Sequence, residues 1–214
     1  MQFLKTLATA AILSACAVSA QAATVTVDFS GDAPGFVPNG FTSSGSPIVS
    51  FTDSINSDLL VADFGPQSVG NGLGVYYDDA STLVMNFTQA VTNLALSFGN
   101  DDPAYSLPGD VVVLQGYLGG VLQGLSVVTM NRDDIMNQSI GFFGQQIDKA
   151  VFYYGRLALG PNNSISLAPI DLIEVVDNVS FDVPDVAEVP LPASGLLLLG
   201  GTGLLALARR RRAA

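Results

Sequence analysis

The chain has 214 residues, a formal net charge of −11, one cysteine, and neither histidine nor tryptophan. All 19 acidic residues lie between Asp28 and Glu188, where only Arg132, Lys149 and Arg156 oppose them, so this stretch carries −16. That balance excludes nucleic acid as a partner, because phosphate binding needs a basic face, and the missing histidine excludes Ser-His-Asp and Cys-His nucleophiles and His-ligated zinc.

The first 22 residues read as a signal peptide. Lys5 supplies the positive charge, Leu7 to Ala17 an apolar core, and Ala20-Gln21-Ala22 a small-x-small site for signal peptidase, so the mature chain begins at Ala23. Leu13-Ser14-Ala15-Cys16 offers a second reading, a lipobox in which Cys16 is lipidated and becomes the new N-terminus. If Cys16 leaves with the signal, no disulfide, thiol nucleophile or Cys-based zinc site remains.

From residue 23 to 182 the pattern predicts an all-β exported domain. Thr24 to Phe29 alternates with period two. Gly31 to Gly40 reads as a Gly/Pro loop, followed by strands at Pro47–Phe51, Leu59–Phe64 and Leu73–Tyr77. Thr82–Phe87 and Leu94–Phe98 read as two strands with a turn at Thr88-Gln89-Ala90 between them. Val111–Leu118 and Val121–Met130 flank Gly119-Gly120, a two-residue hairpin signal. Ser139–Phe143, Ile147–Tyr154 and Leu172–Phe181 bring the expectation to about ten strands. Short strands with regular turn signals predict a two-layer antiparallel β-sandwich. Residues 183–188 form an acidic stalk before the C-terminal tail.

The chemistry available is that of carboxylates. Of the acidic residues 17 are Asp and only Glu174 and Glu188 are Glu, a composition suited to turns and to hard-cation ligation. Asp78-Asp79, Asp101-Asp102 and Asp177 are the candidate ligands for a structural calcium ion, each weighed against a simple turn-capping role. A glycan hydrolase or lyase needs only two carboxylates, yet no pair stands out by its setting, and the body reads as non-catalytic. Tyr76-Tyr77 and Tyr153-Tyr154 each put one ring on either face of a strand, one for the core and one free to meet a glycan.

The tail has three parts. Val189, Pro190, Leu191, Pro192 and Ala193 form an extended motif, Leu191 to Ala208 are 18 residues without a charge, and Arg209, Arg210, Arg211 and Arg212 close the segment. As a helix the apolar run reaches about 27 Å, close to a hydrocarbon core of ~30 Å. Four arginines stay on the cytoplasmic side and leave everything before Pro190 outside. A single transmembrane helix follows from these parts, and a plain C-terminal anchor is the simplest alternative.

In motif, short helix, basic end and position, residues 189–214 resemble the VPLPA variant of the PEP-CTERM protein-sorting signal of Gram-negative bacteria. The resemblance implies transient anchoring in the inner membrane, recognition by an exosortase-type enzyme, cleavage near the motif, and delivery to a cell surface or matrix with extracellular polysaccharide. Thr24 to Phe181 is also similar, more loosely, to the jelly-roll domains of exported PEP-CTERM proteins, whose last strand reads like Asp177-Asn178-Val179-Ser180-Phe181. That likeness implies a calcium ion where the last strand meets the start of the domain, which favours Asp177.

Overall fold

Period-two alternation builds strands along nearly the whole body. The computed structural model describes residues 22–77, 79–159 and 165–184. Among them twelve strands form, paired antiparallel, and no α-helix occurs. These residues lie in one compact unit, Ala22–Pro184.

Two sheets share one strand. The strands are β1 (Ala23–Val27), β2 (Gly35–Val37), β3 (Val49–Asp53), β4 (Leu59–Asp63), β5 (Asn71–Val75), β6 (Leu83–Gly99), β7 (Val111–Leu118), β8 (Val121–Thr129), β9 (Gln138–Phe142), β10 (Ile147–Leu159), β11 (Ile165–Pro169) and β12 (Glu174–Val183). The first sheet runs β2-β4-β5-β12, then the second half of β6, then β9, with β1 beside the end of β12. The second runs β3, the first half of β6, β10, β7, β8, with β11 beside the end of β10. First and last strands pair, with Val25 opposite Phe181.

Inward side chains of both sheets form one core. Phe87 meets Phe181 at 5.1 Å between ring centroids and Phe98 meets Phe152 at 6.2 Å, both contacts joining the two sheets, and Phe29, just past β1, meets Phe51 of β3 at 5.3 Å. Burying each such ring contributes about 1.5–3 kcal/mol. The antiparallel β-sandwich expected from the sequence is therefore the observed fold.

Three local expectations are corrected. Thr88-Gln89-Ala90 is no turn, because β6 runs unbroken through it and crosses from one sheet to the other. Its polar residues lie at the crossing, where Thr88 and Gln89 are exposed. Asn93 takes up the bend with φ 53°, and its amide donates to Asp182 Oδ2 at 2.8 Å. Residues 35–37, expected in a loop, form the edge strand β2 against β4. An edge strand needs partners on one side only, so Pro34 and Pro38 can flank it. The body also gains β11, which doubles back on the end of β10 and finishes on Pro169. Gly119-Gly120 forms the expected hairpin turn, with φ 57° and 79°, the left-handed values that a type I′ turn demands.

Candidate functional site

At one end of the core the alternation of three strands continues past the last apolar residue into polar ones. In β3, Val49 and Phe51 point inward and Asp53 follows in phase. In β6, Leu83 and Met85 point inward and Ser81 precedes them in phase. In β12, Val176 points inward and Glu174 precedes it in phase. Register places them together: Asp53 lies opposite Leu83, and Glu174 lies opposite Val75, itself opposite Leu59, next to Asp58. Asp53, Asp58, Ser81 and Glu174 are all between 0% and 4% exposed.

Their hydrogen bonding is unevenly satisfied. Asp53 accepts the Ile55 N–H at 3.0 Å and the Asn56 N–H at 2.7 Å, one on each carboxylate oxygen. Asp58 Oδ2 accepts the Tyr77 N–H at 3.1 Å. Among the described residues Asp58 Oδ1, Ser81 Oγ and both Glu174 carboxylate oxygens have no partner. Buried polar atoms left this way cost about 1–3 kcal/mol each. Burial pushes the Glu174 carboxyl well above its ordinary value, and the charges of Asp79 and Asp53 push it further. Burial, with the adjacent Asp53 carboxyl, pushes Asp58 up to about 6.

The aspartates singled out from sequence fall in different places. Asp79 borders this cluster, half-buried, and accepts the Ser81 N–H at 2.8 Å and the Asn56 amide at 2.6 Å. Asp78 lies outside the described residues. Asp101 is buried and accepts the backbone N–H groups of Arg132 and Asp134 at 2.5 and 2.8 Å, tying the loop after β6 to the loop after β8. Asp102 accepts the Ala104 N–H at 2.6 Å within its own turn. Asp177 is buried in β12 and accepts the N–H groups of Asn178 and Val69 at 2.6 and 3.3 Å. Among the described residues no group of three or more His, Cys, Asp or Glu side chains is arranged to hold a metal ion. Sequence reasoning passed over Asp53, Asp58, Ser81 and Glu174; the available signal was an acid at a core-phase position, two residues from Phe51 or from Val176.

The buried Asp177 gives a test of the electrostatics. Burial pushes its carboxyl up to about 6, above the ordinary value near 4. The unfolded chain then loses this proton before the folded one does, so the site's contribution to stability falls as pH rises from about 4 through about 6. Asp177→Asn should stabilise the protein at pH 7 by up to roughly 3 kcal/mol, less the cost of any weakened backbone bond, and be near neutral at pH 4. Urea denaturation at the two pH values reads this, and an equal effect at both would contradict it.

Aromatic residues behave differently at the two tyrosine pairs. Tyr154 is fully buried, with Phe152 at 5.6 Å, and its hydroxyl donates to the Gly99 carbonyl. Tyr153 packs on the outer face with Val111 and Val113 and is buried there too, so the expectation of a ring free to meet a glycan is corrected for this pair, and the Gln115 amide donates to its hydroxyl at 3.3 Å. Tyr76 and Tyr77 follow β5, and both are exposed, so the expectation of one core ring in this pair is corrected. With the strand ended at Val75, alternation no longer holds there. Phe36 joins them: it lies 5.5 Å from Tyr76, and Tyr76 lies 5.9 Å from Tyr77, an exposed row of three rings beside the acidic cluster.

Most of the targeting residues are not among the described ones. Ala20, Val189, Pro190, Leu191, Pro192, Ala193 and Arg209 to Arg212 lie outside the described residues, whereas Ala22 and Ala23 are exposed and Ala23 opens β1. Among the described residues no helix is long and apolar enough to cross a membrane, and the segment 191–208 expected to do so is not among them.

Comparison with solved structures finds similarity to a DUF4465 family protein from Bacteroides caccae, with a TM-score of 0.42 and 13% identity, covering 76% of this chain and 100% of that one. No curated protein matches the chain. A family model described as the PEP-CTERM protein-sorting motif matches residues 188–212. The chain therefore carries at its C-terminal end the PEP-CTERM protein-sorting motif, the mark of an exported protein that an exosortase-type enzyme sorts to the cell surface.

Proposed function

We propose that the chain is the precursor of a non-catalytic cell-surface or matrix protein whose β-sandwich associates with extracellular polysaccharide. The observation that carries the reading is the sorting motif at residues 188–212. In this reading signal peptidase cuts after Ala22, the apolar segment 191–208 holds the precursor in the inner membrane, and the sorting enzyme recognises the Val189–Ala193 motif. The body, a stretch of −16 net charge, is then released to the outside.

The exposed rings of Phe36, Tyr76 and Tyr77 support the glycan part of the proposal. Aromatic faces stack on the apolar faces of sugar rings, and rings already held edge to face lose little freedom on binding. The most perturbed carboxylates, by contrast, are closed off from solvent, which supports holding a glycan rather than cleaving it.

Replacing Pro190 and Pro192 together should leave full-length precursor in the inner membrane while the unaltered protein reaches the surface. Normal surface delivery of the double variant would contradict recognition of the motif. On an array of soluble glycans the released protein should show retention without turnover, and Tyr77→Ala should weaken retention while leaving the thermal midpoint in place.

A further inference from the structure

We propose that the glycan met by Phe36, Tyr76 and Tyr77 is cationic, an amino-sugar polymer that carries free ammonium groups. The proposal rests on the reading of these three rings as a glycan platform and names the class of sugar they take. The rings are 62%, 40% and 57% exposed and touch in succession, Phe36 on Tyr76 at 89° between planes and Tyr76 on Tyr77 at 63°. An aromatic ring has a negative face and a positive edge, so an edge-to-face row offers a ligand negative faces at more than one angle. Such a face takes the apolar side of a sugar ring and attracts an ammonium group as well.

The charge of the body selects among sugars. Arg132, Lys149 and Arg156 are the only basic side chains between residues 23 and 184, and each is engaged. Arg156 is bound to the Asp110 carboxylate at 2.6 Å. Arg132 is tied into its loop, with Nε donating to Ser106 Oγ at 3.1 Å and Nη2 to the carbonyls of Pro103 and Ser106 at 2.9 and 2.8 Å. Lys149 is half-buried, with Nζ 4.5 Å from the centre of the Tyr117 ring. No basic group is thus left over to hold a uronate, sulfate or phosphate. A charge of −16 between Asp28 and Glu188 also repels such polyanions at long range, and the same field draws a polycation in.

Negative charge is also placed at the row itself. The Tyr77 N–H donates to Asp58 Oδ2 at 3.1 Å, and the Asp79 N–H donates to the Tyr77 carbonyl at 2.9 Å. Asp79 is half-buried, and its two oxygens accept the Ser81 N–H at 2.8 Å and the Asn56 amide at 2.6 Å. Each carboxylate oxygen has a second lone pair, so Asp79 is able to accept an ammonium without giving up either donor. Among the described residues no lysine or arginine pairs with Asp53, Asp58 or Asp79; the one ion pair there is Arg156 with Asp110. Rings that hold the sugar face therefore stand next to a carboxylate with room for its amine, and a neutral glycan would use only the first of these.

The test titrates the full chain, in mild detergent, with four short oligomers: glucosamine with free amines, the same oligomer N-acetylated, a uronate, and lysine. It is run at about pH 6, where a primary amine is charged and an ordinary carboxylate ionised. The free-amine sugar should bind about tenfold tighter than its acetylated form, which is what roughly two exposed ammonium–ring contacts supply, and the uronate should not bind. That preference should shrink between about 10 mM and 1 M NaCl, where the screening length falls from about 30 Å to about 3 Å. Tyr77→Ala should weaken both glucosamine oligomers. Asp79→Asn should lower the free-amine affinity alone, and its unchanged binding of the acetylated form shows that the row is intact. Equal affinity for the free-amine and acetylated sugars would overturn the proposal and leave the glycan reading standing. Lysine bound as tightly as the amino sugar, or amino-sugar binding undiminished in Tyr77→Ala, would overturn it by showing that the acidic surface at large holds the amines. No binding of any sugar would overturn the glycan reading together with it.

Discussion

Arg156→Ala should destabilise the body by about 3 kcal/mol at neutral pH. Asp110, immediately before β7, is 2% exposed, and Arg156 on β10 grips it with two bonds, Nε to Oδ1 and Nη2 to Oδ2, each 2.6 Å. The Leu107 N–H adds a third at 2.7 Å. Truncating the arginine leaves a buried carboxylate with that one donor, and breaking a buried pair from one side costs about 3–5 kcal/mol. The lower end applies because the Arg156 side chain is 41% exposed and water screens part of the interaction. The sign with pH is opposite to that of Asp177. Burial works to raise the Asp110 carboxyl, but the Arg156 hydrogen bonds and charge overcome it and hold the group below its ordinary value. Its contribution is thus present above the unfolded value near 4 and is lost as pH falls through the lower folded value. Urea unfolding at pH 7 and near pH 3 should show the difference between Arg156→Ala and the unaltered chain shrinking at the lower pH. A pH-independent difference would contradict the ion-pair account.

Phe152→Ala should cost about 3–5 kcal/mol, the range for deleting a fully buried aromatic ring. Phe152 is 0% exposed and stands between Phe98, at 6.2 Å, and Tyr154, at 5.6 Å. Phe98 belongs to the half of β6 that lies in the first sheet, and Phe152 to β10 in the second. The cavity would therefore open between the sheets, where neither backbone can collapse without breaking a ladder. Phe152→Leu fills more of the space and should cost less than half as much. If both substitutions cost under 1 kcal/mol, the aromatic layer would not be what holds the sheets together.

The fold was legible wherever local pattern and tertiary role agree. Val111–Leu118 and Val121–Thr129 flank Gly119-Gly120, whose turn chemistry marks the hairpin, while a shift between Gly116 and Tyr117 adjusts the register farther along the ladder. The crossing strand β6 was illegible because Thr88-Gln89-Ala90 is polar for a reason other than reversal: it passes from one sheet to the other, leaving those residues uncovered. Tyr76 and Tyr77 misled in the opposite direction, since alternation predicts nothing beyond the strand end at Val75. Adjacent aspartates drew the eye in sequence, yet Asp101, Asp102 and Asp177 accept backbone N–H groups in the structure. Isolated acids in core phase, Asp53 and Glu174, are buried just as deeply. What brings them together is the pairing of β3 with β6 and of β5 with β12, contacts no short-range pattern encodes.

The central claim, that the chain is a precursor sorted through its C-terminal end, is tested most directly by the intact mass of the protein recovered from the cell surface. The account predicts a species that begins at Ala23 and lacks Arg209 to Arg212, with the new C-terminus near the Val189–Ala193 motif. Surface protein that retains every residue through Ala214 would contradict it.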